Sequence, residues 1–573
     1  MNYLKSFLLL GFILIISCNS KDNSSEELTK IIAIIENHEG YNKKEYPLGL
    51  FTKEYYKNEA DFAQSQLNEL SEIKLDNLSE SEQITLELLQ FTLQETIDFY
   101  KFEAYLNPLL SDAGFHTSLP YEVRNFSTHK QYVDYLNKLN AIPTFVSQHI
   151  ALIREGLEKG ISQPKIIFNN FEDTYNSQII ENFEDSFYYS PFKNMPSIIS
   201  VQQKDSLLMA AKIAVETNVI PQFKVIKYFF ENEYFVKTRA TGGVSNQTNG
   251  NEYYQNRVNY YTTSTISAEE VHQIGLKEVA RIKAEMQKII DTLNFKGSFE
   301  NFLAFLRTDE QFYAKTGDEL LKEARNISKK IDAQLPKYFI TLPRKPYGVA
   351  PVPEVIAPKY TGGRYNPPGD NSTEPGYYWV NTYNLKSRPL YILPSLTLHE
   401  AVPGHHLQMS LNSELGDEIP KFRRNLYLSA YGEGWGLYSE FLGNDMGIYT
   451  TLYENFGKYT YEMWRACRLV VDTGIHVKNW TREQAVEYLK SNTALSLHEV
   501  NTEIDRYISW PGQALSYKIG ELKIRELRKL AEKELGEKFD IRQFHEIILE
   551  QGTVTLAILE KRIHNYIEKT KNG

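Results

Sequence analysis

Residues 397–408 read Thr-Leu-His-Glu-Ala-Val-Pro-Gly-His-His-Leu-Gln, and this stretch decides how the chain folds around its most reactive side chains. On an unbroken helix, His405 would point about 120° away from His399, and His406 would lie about 10.5 Å farther along the axis. Pro403 removes a backbone N–H and clashes with the preceding turn, while the glycine after it tolerates almost any backbone angle. The sequence therefore predicts a helix broken at this Pro-Gly pair, where the break can return either His405 or His406 to His399.

Histidine followed by glutamate on a helix is typical of a zinc site. The stretch begins like the motif His-Glu-x-x-His, in which both histidines bind the ion and the glutamate acts as the base. Proline stands at the position of the second histidine here, so a zinc site would need a histidine from beyond the break. The alternative is a set of hydrogen-bonded core histidines.

A candidate third ligand, Glu433, lies in the segment 430–440, Ala-Tyr-Gly-Glu-Gly-Trp-Gly-Leu-Tyr-Ser-Glu. Three glycines surround this carboxylate, and each glycine inside a helix costs about 1 kcal/mol relative to alanine. That cost predicts close packing of the segment against another element. The alternative for Glu433 is an ordinary carboxylate on a helix surface.

The N-terminus has the pattern of a leader. Residues 1–17 hold one lysine and a short apolar run, which is too short for a permanent membrane span and is typical of a signal peptide. With Cys18 after it, the leader resembles a bacterial lipoprotein signal, which implies lipid attachment at Cys18. Residues 18–27 are predicted to form a flexible tether. We therefore expect a lipid-anchored protein of the bacterial cell envelope, on the periplasmic side or the cell surface, that contacts the membrane through its lipid only.

Composition narrows the class of protein further. The 573 residues carry a net charge of −10, which argues against a nucleic-acid partner because phosphate binding needs a basic face. The 39 tyrosines and 30 phenylalanines are interpreted as lining for a core and a cleft. If Cys18 is acylated, Cys467 is the one remaining thiol, so an intramolecular disulfide is excluded.

Apolar residues spaced three and four apart predict a mostly helical chain. Such runs cover 28–36, 61–73, 81–105 and 130–159, the last predicted to break near Pro143. Two helix starts carry capping boxes, Ser267 with Glu270 and Thr481 with Gln484.

Two loop-like stretches divide the chain. Residues 241–251 are rich in Gly, Asn and Thr and separate a predicted N-terminal helical lobe, 28–240, from a predicted C-terminal catalytic lobe, 252–573. A second predicted loop, 360–376, leads into the best strand candidate, 377–382. We expect that strand to lie at a sheet edge, where Tyr378 and its neighbours can pair with an extended peptide.

Four segments together resemble one known family. HEAVPGHHLQ (399–408), YGEGWGLYSE (431–440), RACRLVVDTGIH (465–476) and RYISWPGQALSYKIG (506–520) are similar to the DUF885 family of bacterial, often lipoprotein, proteins. This family is grouped with the gluzincin-type zinc peptidases. The resemblance implies a mostly α, large two-lobed metallopeptidase-like fold around a deep cleft, with a small β element near a zinc site.

The resemblance also implies roles for individual residues. Zn²⁺ would be held by His399, by one histidine of the 405–406 pair and by Glu433, with Glu400 as the general base. Comparison with oligopeptidases of the His-Glu-x-Gly-His type favours His405, although the insertion before that Gly-His leaves His406 open. The expected reaction is zinc-dependent hydrolysis of peptide bonds in oligopeptides.

Further groups are predicted around the reaction centre. Related peptidases draw an oxyanion donor from a tyrosine or histidine C-terminal to the zinc helices, and the candidates here are Tyr517, Tyr507 and His476. Arg468 and Arg506 are candidates to bind a substrate carboxylate. The plainer interpretation of Arg468 is an i,i+4 ion pair with Asp472.

Two other functions compete with the peptidase. One is a peptide-binding lipoprotein whose metallopeptidase site is degenerate, and the other is a structural envelope lipoprotein without a ligand. The intact Glu400 favours the enzyme, because a protein that only binds peptides has no use for a base.

Overall fold

The computed structural model describes residues 23–240, 242–354, 356–369 and 373–573. The predicted signal peptide, 1–17, and the predicted lipidation site, Cys18, lie outside the described residues. The first helix begins at Ser24, so the prediction of a tether reaching residue 27 is wrong for its last four residues. Glu26 and Glu27 suit the positive end of a helix dipole, and Leu28 is buried against the next helices.

The described chain is predominantly helical, as predicted. Its N-terminal helices are α1 Ser24–Glu36, α2 Lys53–Ser71, α3 Glu80–Lys101, α4 His129–Glu158, α5 Asp173–Asn176, α6 Ser190–Lys193, α7 Val201–Ala214, α8 Ile220–Phe229, α9 Phe235–Lys237 and α10 Gly250–Thr262. Two π-helical turns, Val215–Val219 and Phe230–Tyr234, connect α7, α8 and α9.

The C-terminal helices are α11 Ala268–Thr292, α12 Phe299–Thr308, α13 Gly317–Asp332, α14 Leu335–Tyr338, α15 Leu393–Glu400, α16 His405–Ser413, α17 Lys421–Asn425, α18 Ser429–Leu442, α19 Leu452–His476, α20 Arg482–Asn492, α21 Leu497–Ser509, α22 Ser516–Leu535, α23 Ile541–Leu549 and α24 Leu556–Asn572. Within the described ranges, no helix is both long and apolar enough to cross a membrane.

The two helix starts predicted from capping boxes are confirmed, whereas the helix break predicted near Pro143 is not. Both predicted capping boxes form, at the starts of α11 and α20. The predicted break near Pro143 is wrong, because α4 runs through it without interruption. Leu139, Ile142 and Phe145 are all buried around the proline, so their packing offsets the hydrogen bond that proline cannot donate.

Most of the buried apolar residues form one core. This cluster extends along the chain from Ile84 to Ile567 and includes residues on both sides of the predicted boundary at 241–251. A smaller cluster joins α1, α2 and α3. In the C-terminal part, α11 packs along α19 and α18 packs along α22. These two helix pairs form the frame on which the cleft is built.

A small three-stranded sheet lies beside the cleft. Its strands are β1 Tyr347–Pro351, β2 Gly363–Asn366 and β3 Gly376–Val380, in the order β1-β3-β2. The predicted strand is found as β3, but the prediction that it lies at an edge is wrong: β3 is central, parallel to β1 and antiparallel to β2. The edge strand beside the cleft is β2, a four-residue strand inside the predicted loop 360–376 that is too short to detect from its pattern.

A cavity of about 1410 Å³ opens between the N-terminal and C-terminal parts of the chain. One wall comes from residues 165–172, and the other comes from β2, α15, α18, α19 and α21. The cavity ends at His399, His405 and Glu433, so the residues predicted to bind metal line its floor.

Candidate metal centre

Three side chains from three helices converge at the floor of the cleft. His399 ends α15, His405 begins α16, and Glu433 lies in the first turns of α18. One ligand atom from each residue lies within 4.8 Å of the other two. Glu433 Oε2 is 3.3 Å from His399 Nε2 and 3.3 Å from His405 Nε2.

The break between α15 and α16 brings the histidines together. Helix α15 ends at Glu400 and α16 begins at His405, so Pro403 and Gly404 turn the chain between them. Trp435 Nε1 donates a 2.7 Å hydrogen bond to Pro403 O, which ties this turn to α18. A Cβ on Gly404 would lie 1.8 Å from His399 O, so only glycine fits there.

The chemistry of the three donors fits zinc. Ligand atoms bound tetrahedrally at about 2.0–2.1 Å lie roughly 3.3 Å apart, which matches both measured nitrogen–oxygen distances. Two imidazoles and one carboxylate also form the ligand set of thermolysin-type catalytic sites, which keep a fourth position open.

Neighbouring charged groups shift the pKa values of two candidate ligands, His399 and Glu433. Burial lowers the pKa of His399, but hydrogen bonds to Glu433 and Glu440 outweigh it and raise the pKa to about 9. Burial raises the pKa of Glu433, yet the neighbouring His405 and His399 pull it well below its usual range. The carboxylate is therefore ionised, as a metal ligand must be.

Glu440 and Tyr427 contact two of the candidate ligands, and neither residue was predicted from the sequence. His399 Nδ1 lies 2.8 Å from Glu440 Oε1, which fixes the ring with Nε2 turned towards Glu433. Glu440 also pairs with Arg465, and the Tyr427 hydroxyl donates to Glu433 Oε1 at 2.9 Å. The spacing of Glu440 was a usable signal, because a residue seven positions after Glu433 lies on the same face of a helix, two turns further along.

Glu400 follows His399 in the chain but is not part of the three-residue cluster. It lines the cavity, and its Oε2 accepts a 2.8 Å hydrogen bond from the backbone N–H of Tyr365 on β2. The N–H group orients the carboxylate of a residue that lines the cleft, and a carboxylate held in this position can serve as a general base.

His406 lies outside the cluster. Its Nδ1 is 3.0 Å from the Tyr365 hydroxyl and 3.2 Å from Ser410 Oγ, and burial lowers its pKa to about 4. Of the two histidines that the sequence left open, the geometry places His405 with His399 and Glu433.

The three candidate oxyanion donors lie in different surroundings. Tyr517 lines the cavity with its ring nearly parallel to that of His399, the ring centroids 6.4 Å apart. Tyr507 is buried, and its hydroxyl accepts hydrogen bonds from Trp464 Nε1 and Arg468 Nε, each at 2.8 Å. His476 is buried between Val244 N and Tyr507 O. Only Tyr517 of the three faces the cleft floor.

The predicted substrate-binding residues are already engaged within the protein. Arg468 and Arg506 line the cavity, but both pair with Glu503 at 3.0 Å. Tyr378 is fully buried on the central strand β3, with its hydroxyl 3.4 Å from Thr397 Oγ1, so the prediction that it pairs with an extended peptide is wrong.

The alternative prediction for Arg468, an ion pair with Asp472, is also wrong. Asp472 instead accepts hydrogen bonds from the Tyr254 hydroxyl at 2.6 Å and from Gly512 N at 3.1 Å. Burial raises the pKa of Asp472 to about 7.

A family model described as "Bacterial protein of unknown function (DUF885)" matches residues 37–563. No curated protein is detectably similar to the chain.

Two solved structures are similar to the whole chain. A crystal structure described as a candidate lipoprotein from Colwellia psychrerythraea is 28% identical, with a TM-score of 0.85 over 96% of this chain and 97% of that one. A candidate lipoprotein of unknown function from Shewanella oneidensis is 20% identical, with a TM-score of 0.69 over 94% and 97% of the two chains. The second likeness shows the fold alone.

Proposed function

The chain belongs to the DUF885 family of bacterial proteins of unknown function. From the geometry of its candidate metal centre, we propose that it is a zinc-dependent peptidase of the gluzincin type. The observation that carries the proposal is the convergence of His399, His405 and Glu433 next to Glu400 at the floor of a large cleft.

The residues around the centre can supply a general base for hydrolysis and the contacts that position it. When bound, zinc lowers the pKa of a coordinated water to about 7 and polarises a carbonyl group. Glu400 accepts the proton of the attacking water and returns it to the leaving amine. Tyr365 N–H keeps the Glu400 carboxylate aimed at the cleft, and Glu440 holds the His399 ring in place.

A tyrosine is available for the charge that develops on the substrate. The hydroxyl of Tyr517 makes no hydrogen bond with the described residues, and its ring lies over His399. A donor of this kind binds the tetrahedral oxyanion more tightly than the ground-state carbonyl. Tyr507 is not suited to this role, because its hydroxyl already serves Trp464 and Arg468.

The edge of β2 supports an extended peptide as substrate. Tyr365 N–H bonds Glu400 and Gly362 O accepts from Asn381 N–H, so along the antiparallel pair Gly363 and Tyr365 turn their backbone groups away from β3. Tyr365 N–H reaches Glu400 in this outward direction. A peptide added along this edge would pass beside the base and over the metal ligands, which is recognition by strand addition.

The site of action is proposed from the leader and the relatives. The solved structure from Colwellia psychrerythraea is described as a candidate lipoprotein, which is consistent with an envelope lipoprotein anchored at Cys18. Cell-envelope oligopeptides are accordingly the substrate class that we propose.

Glu400→Gln tests the enzyme directly. Glu400 coordinates nothing in the proposed site, so this variant should keep about one zinc per chain and lose peptide hydrolysis by about 10²-fold or more. Metal analysis of protein purified without chelator and hydrolysis of a mixed peptide library provide the two measurements.

Matched controls separate base, ligand and background. Glu172→Gln removes an exposed carboxylate from the opposite wall of the same cleft and should leave hydrolysis near wild type. His405→Ala should lose most of the zinc, whereas His406→Ala should keep it. Equal hydrolysis by wild type and Glu400→Gln would refute the proposed role of Glu400.

A further inference from the structure

Most cationic side chains of the cleft are neutralised by carboxylates. The ion pairs are Arg388–Glu499 at 3.0 Å, Arg465–Glu440 at 3.2 Å, Arg468–Glu503 at 3.0 Å, Arg482–Asp505 at 2.6 Å and Arg506–Glu503 at 3.0 Å. Among the described residues that line the cavity, Arg364 and Lys165 are the arginine and lysine without such a pair. Lys165 belongs to the N-terminal wall, whereas Arg364 belongs to β2 beside the metal centre.

Arg364 lines the cleft next to the residue that orients Glu400. It directly precedes Tyr365, whose N–H orients Glu400, and its side chain leaves the sheet on the face opposite the buried Tyr365 ring. Its guanidinium lies 5.7 Å from the ring centroid of Tyr360, which steadies the exposed side chain.

The charges around Arg364 connect it to the reaction centre. Desolvation by the surrounding protein lowers the pKa of Arg364, but Tyr360, Glu400, Tyr517 and Glu433 raise it above its usual value. The guanidinium is therefore permanently charged and electrostatically close to the base, one ligand and the candidate oxyanion donor. Its donors remain available for an anion that enters the cleft.

We propose that Arg364 binds a carboxylate of the peptide substrate beside the bond that is cut, which makes the site selective for anionic peptides. The reaction in this statement rests on the proposed peptidase function, whereas the binding of the carboxylate does not. A guanidinium is suited to this task because its planar fork can donate two parallel hydrogen bonds to one carboxylate.

The position of Arg364 limits which carboxylate it can reach. Residues along a strand are about 3.3 Å apart. The substrate carboxylate that Arg364 binds would therefore belong to a residue within about two positions of the substrate residue that pairs with Tyr365. A free C-terminal carboxylate and an Asp or Glu side chain both offer this chemistry. The first source would make the protein a carboxypeptidase-like enzyme, and the second would make it selective for acidic residues.

Three versions of one peptide distinguish the sources. One has a free C-terminus and no acidic side chain, one is the same peptide with a C-terminal amide, and one is the amide with a glutamate in the last position. Binding is measured by calorimetry on zinc-loaded Glu400→Gln, and kcat/KM on the enzyme with Glu400 intact. Each measurement is made with Arg364 intact, with Arg364→Gln and Arg364→Lys, with Arg506→Gln as the rival site, and with Lys165→Gln as a matched charge control.

We expect one of the two carboxylate peptides to bind at least 10-fold more tightly than the neutral amide. Arg364→Gln should remove this preference, with a loss of about 10- to 100-fold on the carboxylate peptide and less than about 3-fold on the amide. Arg364→Lys should restore part of it, and Lys165→Gln should preserve it. Whichever carboxylate peptide shows the preference identifies the source.

The outcomes separate this proposal from the proposed reaction. Binding preference without any hydrolysis by the zinc-loaded enzyme would refute the peptidase function and leave the role of Arg364 intact. Equal binding of all three peptides, or an equal loss on all three in Arg364→Gln, would overturn the role of Arg364. Loss of the preference in Arg506→Gln but not in Arg364→Gln would also overturn it, because the carboxylate would then lie at α21.

Discussion

Hydrogen-bonding partners decide which side chains can take part in the candidate metal centre. His405 and His406 are adjacent in sequence, yet His405 meets Glu433 whereas His406 meets Tyr365 and Ser410. Tyr517 and Tyr507 divide in the same way, one facing the cleft and the other buried under Arg468. The role of each side chain therefore depends on whether its polar atoms are already hydrogen-bonded within the protein or are free to bind a ligand.

Tyr517→Phe should lower kcat by about 10²- to 10³-fold, because it removes a donor that stabilises the oxyanion more than the ground state. KM and zinc content should change little, since the Tyr517 hydroxyl makes no hydrogen bond to any of the three candidate ligands. Steady-state kinetics on a good peptide substrate provides the measurement.

Tyr507→Phe supplies the contrast for this prediction. It leaves Arg468 and Trp464 without their buried acceptor, so its main effect should be a loss of about 1–3 kcal/mol in the free energy of unfolding. A kcat deficit in Tyr507→Phe with normal kcat in Tyr517→Phe would transfer the oxyanion role to Tyr507.

A single helix, α18, organises the centre. It supplies Glu433 as a candidate ligand, Trp435 as the hydrogen-bond donor to the 403–404 turn, and Glu440 as the partner of His399. Its glycines make this possible by close approach, as the sequence predicted. A Cβ on Gly434 would lie 2.6 Å from the backbone of Gly520 on α22, and a Cβ on Gly436 would lie 2.7 Å from the His399 ring.

Gly436→Ala should lower zinc affinity by about 10- to 100-fold, as changes beside a ligand commonly do. The added methyl group would displace the His399 ring, although alanine favours the helix by about 1 kcal/mol. Zinc titration against a competing chelator measures the effect, and wild-type affinity in this variant would contradict it.

Gly434→Ala is the matched change on the same helix. Its methyl group meets backbone atoms of α22 instead of a ligand, so it should chiefly destabilise the fold, by about 1–3 kcal/mol. Thermal denaturation of the two variants side by side distinguishes packing of the helix pair from placement of the ligand.

The whole molecule buries several histidines outside the centre, and these connect its stability to pH. Burial lowers the pKa of His149 to about 4 and the pKa values of His116, His476 and His545 to about 3. Both ring nitrogens of His149 are buried without a hydrogen-bond partner among the described residues, and the ring lies against Phe51 and Phe115. The folded protein therefore requires these rings to be neutral.

His149→Phe should reduce the loss of stability in acid. Because the folded pKa is lowered, the unfolded chain binds the proton first as pH falls below about 6.5, and stability is lost from there towards pH 4. At pH 5 this amounts to about 2 kcal/mol for His149, or about 2 °C in Tm for a chain of this length.

Scanning calorimetry between pH 7 and pH 5 checks this prediction. The Tm of His149→Phe relative to wild type should rise as pH falls, whereas the exposed His564→Gln should keep a constant difference. A constant difference for His149→Phe would show that its ring is not held neutral by burial.

The sequence by itself determined the class of fold and the identity of the candidate centre. Periodic apolar residues and capping boxes are local signals, so the helices and their starts at Ser267 and Thr481 followed from short stretches of chain. The Pro-Gly break after His399 and the glycines around Glu433 are local signals too, and they correctly predict a turn and a close approach of two helices.

Only the tertiary structure decided which groups complete the site. Whether His405 or His406 returns to His399 depends on the path of a four-residue turn, and whether Arg468 is free depends on Glu503, 35 residues away in the chain. The edge strand β2 could not be predicted, because four residues are too few to show the alternation of a strand. The central position of β3 depends on its pairing with β1 on one side and β2 on the other. Such choices rest on contacts between distant segments, whose energies no local pattern contains.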